Sequence, residues 1–282
     1  MKKVCLGPKG TFSERALRLA WGRFGLPRTF AKAKVSYAQT NEEVIPMLSS
    51  RLFRAAASLA VHTLAEGCLS KSFDQIASID LDTGVRVIGA IELPISFALL
   101  AREGVRAISG IISHERAVGA CGNYLGGCDL PVTLVDSNSL AAELISEVDV
   151  FARYATFAPI ECAELYGLSV LDDHCEDGIA KTLFYILGKN INVAECGVEW
   201  RALIIADVGN MMSDLASLLA TLAEYGINIV HLHTVSRRAK KCRLCIEIEG
   251  VHANLANAYH AIDHICRFGS SHAFGPFPLI RL

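Results

Sequence analysis

Short apolar runs alternate with amphipathic segments along most of the chain, and this alternation restricts the fold more than any other feature of the sequence. Val4–Gly7, Ala56–Val61, Val87–Leu100, Ile108–Ser113, Val132–Val135, Ala152–Phe157 and Thr182–Leu187 read as strands. Helical spacing follows them, from Thr11 to about Phe24, then over Glu42–Ser50, Glu115–Tyr124, Leu140–Val148 and Ile160–Tyr166. Strands separated by helices predict an α/β fold with a mostly parallel sheet. Four strands run into hydroxyl-rich turns: Gly10–Ser13, His62–Gly67, Ser113-His114 and Ser137–Ser139. Ser13 reads as a helix N-cap with Glu14 in the first turn. Open α/β sheets hold ligands at the carboxyl ends of their strands, where helix N-termini offer free N–H groups, so these turns are the candidate ligand contacts.

Composition narrows the partners. Hydrophobic residues make up 52% of the 282 and charged residues 20%, enough for a full core and incompatible with wholesale disorder. The 27 Lys+Arg nearly balance the 29 Asp+Glu, so no basic field invites nucleic acid. Mean hydropathy is +0.35, yet the apolar stretch around Leu93–Ala101 is far too short to span a bilayer. The N-terminal Met1-Lys2-Lys3-Val4-Cys5-Leu6 reaches Gly7-Pro8 without the apolar core of an export signal, and a cytoplasmic location is expected. The ten cysteines are expected to be reduced core residues. Cys242 and Cys245 lie three apart in a strand-like run, on opposite faces, which argues against zinc. His260 and His264 lie four apart on a helix and read as an exposed face, so no metal is expected.

Asn190–Val198 reads as a linker, followed by a βαββαβ pattern of ferredoxin-like type. Ala202–Ala206 is its first strand, Ser213–Tyr225 a helix closed by Gly226, and Ile227–Thr234 and Arg243–Glu249 the next strands. In the latter, Leu244, Ile246 and Ile248 alternate with polar residues. Asn254–Phe268 is a second helix, and the remaining residues supply a last strand. Arg237, Arg238, Lys240, Lys241 and Arg243 cluster in the hairpin and read as a solvated loop.

Gly7-Pro8-Lys9-Gly10-Thr11-Phe12-Ser13 resembles the GPxGTFS signature of prephenate dehydratases. Further along, Ala60–Gly67 lies where that family has P-x-E-N-S-x-x-G, Ser113-His114 resembles its S-H-P turn, and Ser137–Ala142 its S-T-A-x-A-A helix start. Glu164–Leu168 resembles A-x-x-Y-G-L, and Lys181-Thr182-Leu183-Phe184 lies at T-R-F. Residues from about 200 onward resemble an ACT domain, with Gly226-Ile227-Asn228-Ile229 the clearest match. The resemblance implies a two-lobed, type II periplasmic-binding-protein-like catalytic part over 1–190, with one lobe at about 1–78 and 160–190 and the other at about 79–159. An ACT domain over 197–282 follows. It also implies prephenate as substrate, no cofactor, and a homodimer or tetramer.

Departures from the motifs shape the expected chemistry. His62-Thr63-Leu64 stands at E-N-S, Leu183 replaces the arginine, Ala180 an asparagine, and Phe97 or its neighbour the histidine after L-P-I. Similar departures mark the non-aromatising prephenate decarboxylases of bacilysin-like biosynthesis, so the resemblance favours a lyase that releases CO2 and keeps the ring hydroxyl. A dehydratase making phenylpyruvate is the alternative, and a non-catalytic ligand sensor the reading from another class. His62, an imidazole able to donate a proton at neutral pH, and Thr182, at the position of the family's catalytic threonine, are the candidate catalytic residues. Thr11, Ser13, Thr63, Ser137, Asn138 and Ser139 are candidate substrate contacts, with Leu183 and Phe184 shaping the pocket and Leu183 making it less polar. Glu14 and Glu66 are weaker candidates. In the ACT part, Ser213-Asp214-Leu215 and His233-Thr234-Val235-Ser236 stand at the phenylalanine-sensing motifs G-A-L and E-S-R-P, so tight phenylalanine feedback is not expected.

Overall fold

The described residues form two β-sheets, one of ten strands and one of five. This computed structural model describes residues 2–282 except 25, 51–53, 64–66, 128, 193–194, 210–211, 239–240 and 268–270. The chain opens with β1 (Lys2–Leu6), α1 (Phe12–Arg23), β2 (Val35–Ala38), α2 (Asn41–Ser49), β3 (Ala55–Thr63), β4 (Gly67–Cys68) and α3 (Ser70–Ala77). β5 (Val85–Ile95) then leads out of the large sheet into β6 (Ala98–Ala101), β7 (Gly110–Ser113), α4 (Glu115–Ala120), α5 (Gly122–Gly126) and β8 (Val132–Leu134). α6 (Asn138–Glu147), β9 (Tyr154–Ala158), α7 (Glu161–Tyr166) and β10 (Ser169–Asp172) complete the second lobe. β11 (Ala180–Lys189) returns to the large sheet. The C-terminal module is β12 (Glu199–Gly209), α8 (Met212–Glu224), β13 (Asn228–Arg238), β14 (Lys241–Val251), α9 (Leu255–Cys266) and β15 (His272–Arg281), the βαββαβ order expected.

The large sheet runs β13-β14-β12-β15-β5-β11-β3-β1-β2, with β4 beside β3. It is mixed rather than mostly parallel. β11 enters from the second lobe against the direction of β5 that led there, and pairs antiparallel with both β5 and β3. The lobe bounds also differ from those expected. β5 pairs with β11 from Val85↔Lys189 to Ile95↔Ala180 and so belongs to the large sheet, while α7 and β10 belong with the small one. The small sheet runs β10-β6-β9-β7-β8.

Both faces of the large sheet are covered, which explains the near-continuous apolar strands. α1 lies on one face, where Ala16, Leu17, Ala20 and Phe24 pack on Ile91, Leu93, Phe184 and Ile186. The other face carries α2 and α3 and also the module: Leu59, Val61, Leu183 and Tyr185 share a core with Phe73 and Ile76, and with Leu203, Cys245, Phe274 and Phe277. β15 joins the two parts directly, pairing antiparallel with β12 and parallel with β5 from Leu279↔Ala90 to Arg281↔Glu92. Arg281 bridges Glu92 and Glu199 at 3.0 Å each. Cys242 and Cys245 fall on opposite faces of β14, in different cores. In the hairpin, Arg243 forms a two-pronged contact with Asp207 at 2.6 and 2.8 Å; Lys240 and the side chains of Arg237, Arg238 and Lys241 lie outside the described residues. Among the described residues no helix is long and apolar enough to cross a membrane.

Candidate active site between the lobes

The loop after β1 is set by its own residues. Gly10 adopts φ +88, and an added Cβ there would meet Leu165 at 3.0 Å and Cys162 at 3.1 Å, so only glycine fits both the turn and the neighbouring lobe. Thr11, not Ser13, is the N-cap of α1: it is extended at φ −75, ψ 160, and its hydroxyl accepts from the Glu14 amide at 3.4 Å while donating to Leu6 O at 2.9 Å. Ser13 is the second residue of the helix and is buried, its carbonyl accepting from the Ser58 hydroxyl at 2.6 Å. Glu14 folds back to accept from the Gly10 amide at 2.8 Å, which gives it a loop-closing role. Glu66 lies outside the described residues.

This loop meets the second lobe. Tyr166 donates to Lys9 O at 3.1 Å, the Cys162 thiol lies 3.6 Å from Gly10 O and 3.7 Å from the Ser139 hydroxyl, and Arg15 and Arg18 both reach Glu161 at 3.3 and 3.2 Å. Phe12 packs edge-on against Phe97 with ring centroids 5.7 Å apart. In the second lobe, Ser137 caps α6 by accepting from the Leu140 amide at 3.1 Å. Asn138 braces the Ser113-His114 turn, its Oδ1 accepting from the Ser113 hydroxyl and the His114 amide at 3.0 Å each. The N-termini of α1 and α6 therefore meet through Gly10, Cys162 and Ser139, with Thr11 next to Gly10 and Ser137 and Asn138 next to Ser139 in the chain, while Ser13 is turned into the first lobe. The two crossings are tied by Glu176, which accepts from the Phe97 amide at 2.8 Å and the Ser96 hydroxyl at 3.3 Å. Burial alone would raise the Glu176 carboxyl, but the Phe97 amide and its other donors bring it below the ordinary carboxylate value.

A β-bulge sorts the remaining candidates. Thr182 pairs with Thr63 and Leu183 with His62, but Phe184 pairs with Ala60, so β3 carries one extra residue at Val61. Residues directly opposite share a face, and alternation puts Thr182 with Phe184 on the side of α1. Thr63 stands beside Thr182 there. His62 and Leu183 point to the opposite face, into the core shared with the module. Leu183 is buried in that core, so its replacement of a cation does not alter the polarity of the α1 side. The glutamate and arginine of the resembled motifs would be cross-strand neighbours at 62 and 183; here they have become histidine and leucine together.

His62 finds its partner in the module. Its Nε2 lies 2.6 Å from Glu247 Oε2 on β14. Glu247 is fully buried and also accepts from the Tyr185 hydroxyl and from Arg201, which contacts Glu249 at 3.1 Å as well. β14 and β3 are five steps apart in the strand order, or about 24 Å across a flat sheet. The 2.6 Å contact therefore requires the sheet to coil over on itself. In the sequence Glu247 is one of the polar residues alternating with Leu244, Ile246 and Ile248, and nothing in that alternation sets it apart. The signal was Cys245, two residues away on the same face, which marks that face as buried.

His231 lies beside this network, with Nε2 2.9 Å from the Cys68 thiol and its ring 5.6 Å from that of His62. His233 contacts Asp74 at 2.8 Å. Burial, then repulsion from His62, holds His231 below its ordinary pKa of 6.5. The unfolded chain thus takes up a proton near that pH which the folded chain accepts only at lower pH, so stability falls as pH drops below 6.5. His231→Phe keeps the ring and removes this dependence. Its thermal midpoint is expected to fall less than that of the wild type between about pH 7 and about pH 5.5; equal falls would exclude His231 as a source of acid sensitivity.

Two α/β lobes meeting at helix N-termini, with a hydroxyl pair on the α1 face of the large sheet, define a two-lobed protein of the type II periplasmic-binding-like class. The chain belongs to the prephenate dehydratase family, whose family model matches residues 4–192. It is 29% identical over 273 residues to the prephenate dehydratase of Amycolatopsis methanolica, covering 93% of this chain and 84% of that one. It is 25% identical over 253 residues to the arogenate dehydratase/prephenate dehydratase 6 of Arabidopsis thaliana, covering 86% of this chain and 59% of that longer protein. Among solved structures, the prephenate dehydratase of Arthrobacter aurescens in complex with L-Phe superposes with a TM-score of 0.80 at 22% identity, over 99% of this chain and 90% of that one. A protein described as GqqA, a novel type of quorum quenching acylase, gives 0.78 at 20% identity, over 99% and 98%. At these identities the structural matches speak to the fold alone.

Proposed function

We propose that the chain is a lyase that removes CO2 and water from prephenate, or from its amino analogue arogenate, at the seam between the lobes. The observation that carries this reading is Thr182, at the position of the family's catalytic threonine and beside Thr63 on the α1 side of the sheet. The substrate carboxylates are received by the N-termini of α1 and α6 with Thr11, Ser137, Asn138 and Ser139. Ser13, buried in the first turn of α1, supports that terminus from behind. Phe12, Phe97 and Phe184 exclude water. Loss of ring CO2 sends an electron pair through the diene to expel hydroxide, which leaves as water on taking up a proton. The Thr182 hydroxyl hydrogen-bonds the departing oxygen. The products are phenylpyruvate from prephenate and phenylalanine from arogenate.

A second reading, decarboxylation with retention of the ring hydroxyl, has one observation in its favour. Phe97, against Phe12, or its neighbour stands where the family has histidine, which removes one donor near the ring, and Thr63 puts a hydroxyl where the family has an amide. His62 and Leu183 do not bear on this choice, since both face the module. Incubating the purified protein with prephenate and arogenate and identifying products by NMR decides: an aromatic product supports dehydration, a dihydro-hydroxyphenylpyruvate supports decarboxylation, and binding without turnover supports a sensor. The C-terminal module is read as an ACT domain serving assembly as a homodimer or tetramer. Its 350 Å³ cavity is lined by Asp207, Asp214 and His264, and by no lysine or arginine among the described residues, so a phenylalanine carboxylate finds no fixed positive charge there and tight binding is not expected. Calorimetry that finds such binding would refute this.

A further inference from the structure

We infer that Glu247, supplied by the C-terminal module, is a positioning residue for the chemistry at Thr63 and Thr182; the inference rests on the reading just given. Glu247 gathers donors from three strands: Arg201 from β12, Tyr185 from β11 and His62 from β3. Two of these belong to the strands that carry the hydroxyl pair. His62 immediately precedes Thr63, and Tyr185 follows Thr182 by three residues. A carboxylate has only acceptors, so Nε2 of His62 carries the proton that bonds it.

The bulge makes this restraint consequential. At Val61 the strand has one residue more than its partner, and a bulged strand bends and twists locally. Which face the next side chain takes is fixed by what holds it. The 2.6 Å contact to Glu247 holds His62 on the module face, and alternation then aims Thr63 to the α1 side. Glu247 is fully buried, with Arg201 and Tyr185 fixing its other oxygen, so the anchor is rigid. Burial would raise its carboxyl, but the His62 hydrogen bond and the Arg201 charge bring it below the ordinary carboxylate value, so it stays an acceptor at neutral pH. A shift of β14 in the module against β3 and β11 is felt first at His62 and next at Thr63. The module thereby acts on the site through the strand itself, without touching substrate.

The test compares His62→Leu with His62→Gln, whose side-chain amide can still donate to Glu247. In both, turnover of prephenate and arogenate and backbone amide exchange are measured. His62→Leu is expected to lower kcat about tenfold or more with KM within about threefold, and to speed exchange at 61–63 and 182–183. His62→Gln is expected to stay within about threefold of wild type in kcat and to keep wild-type exchange. Tyr185→Phe, which removes one donor at nearly constant volume, is expected to lower kcat by about three- to tenfold and serves if His62→Leu fails to fold. Equal loss of kcat in both His62 variants with unchanged exchange would mean that His62 acts on substrate itself and overturns the proposal. Unchanged kcat and exchange in His62→Leu overturns it too. If the wild type turns over neither substrate, the functional reading fails, and the exchange comparison still decides whether Glu247 pins the strand.

Discussion

Thr182→Val is expected to lower turnover of prephenate or arogenate by about 10²- to 10⁴-fold, the range that a positioned proton-sharing group contributes. Valine matches threonine in shape, so the buried site on β11 keeps its packing between Thr63 and Leu93. What is lost is one hydroxyl on the side of the sheet that bears α1. The effect should fall on kcat more than on KM, because the hydroxyl's partner is the oxygen that gains charge as it leaves, and carboxylate binding at the two helix N-termini is untouched. Steady-state kinetics with both substrates, beside a melt to show that the fold is intact, checks this. A variant with wild-type kcat would remove Thr182 from the chemistry and with it the main support for the proposed reaction.

Phe277→Ala is expected to cost about 3–5 kcal/mol, as removal of a fully buried aromatic ring usually does. Its ring lies in the core between the module strands and β3 and β11, with centroids 5.3 Å from Tyr185 at an interplanar angle of 75°. The cavity left behind would adjoin Glu247's donors Tyr185 and Arg201, the latter paired with Phe277 across β12 and β15. Little collapse can fill it, because neighbouring side chains are held by hydrogen bonds. Because β15 is hydrogen-bonded on both sides, the loss should lower a single cooperative transition in urea. The result that would sink this is two separate transitions, with the module melting first and the lobes persisting.

Much of this architecture is legible from residue order. The apolar runs around Val4, Ala57, Ile112 and Ile186 are strands, and the βαββαβ pattern after the linker is present as expected. Those features depend on local periodicity, which the sequence states directly. Others depend on pairing. That β11 runs antiparallel, that β5 stays in the large sheet, and that β15 joins both parts are set by contacts between residues far apart in the chain. The site divides in the same way. Ser137 is legible because helix caps have a local grammar, whereas the cap of α1 is Thr11 and not the Ser13 that reads as one. The facing of His62 is not, because an unbroken alternation from Leu59 would put it with Ala60, on the side of α1. One extra residue at Val61 reverses that, and no periodicity within β3 alone reports a bulge whose meaning lies in its partner strand. Glu247 was hidden for the same reason, since its burial comes from a sheet that coils back over it.

The position of β15 also bears on synthesis. It is made after every other described strand, yet it completes the module and covers the open edge of β5. Until the ribosome has delivered Phe274, Phe277 and Leu279, the lobes present a bare strand edge and an uncovered apolar face to solvent or to any chaperone nearby. Final folding of the whole large sheet is thereby deferred until β15 has emerged, and the nascent chain is most exposed to misassociation just before that point.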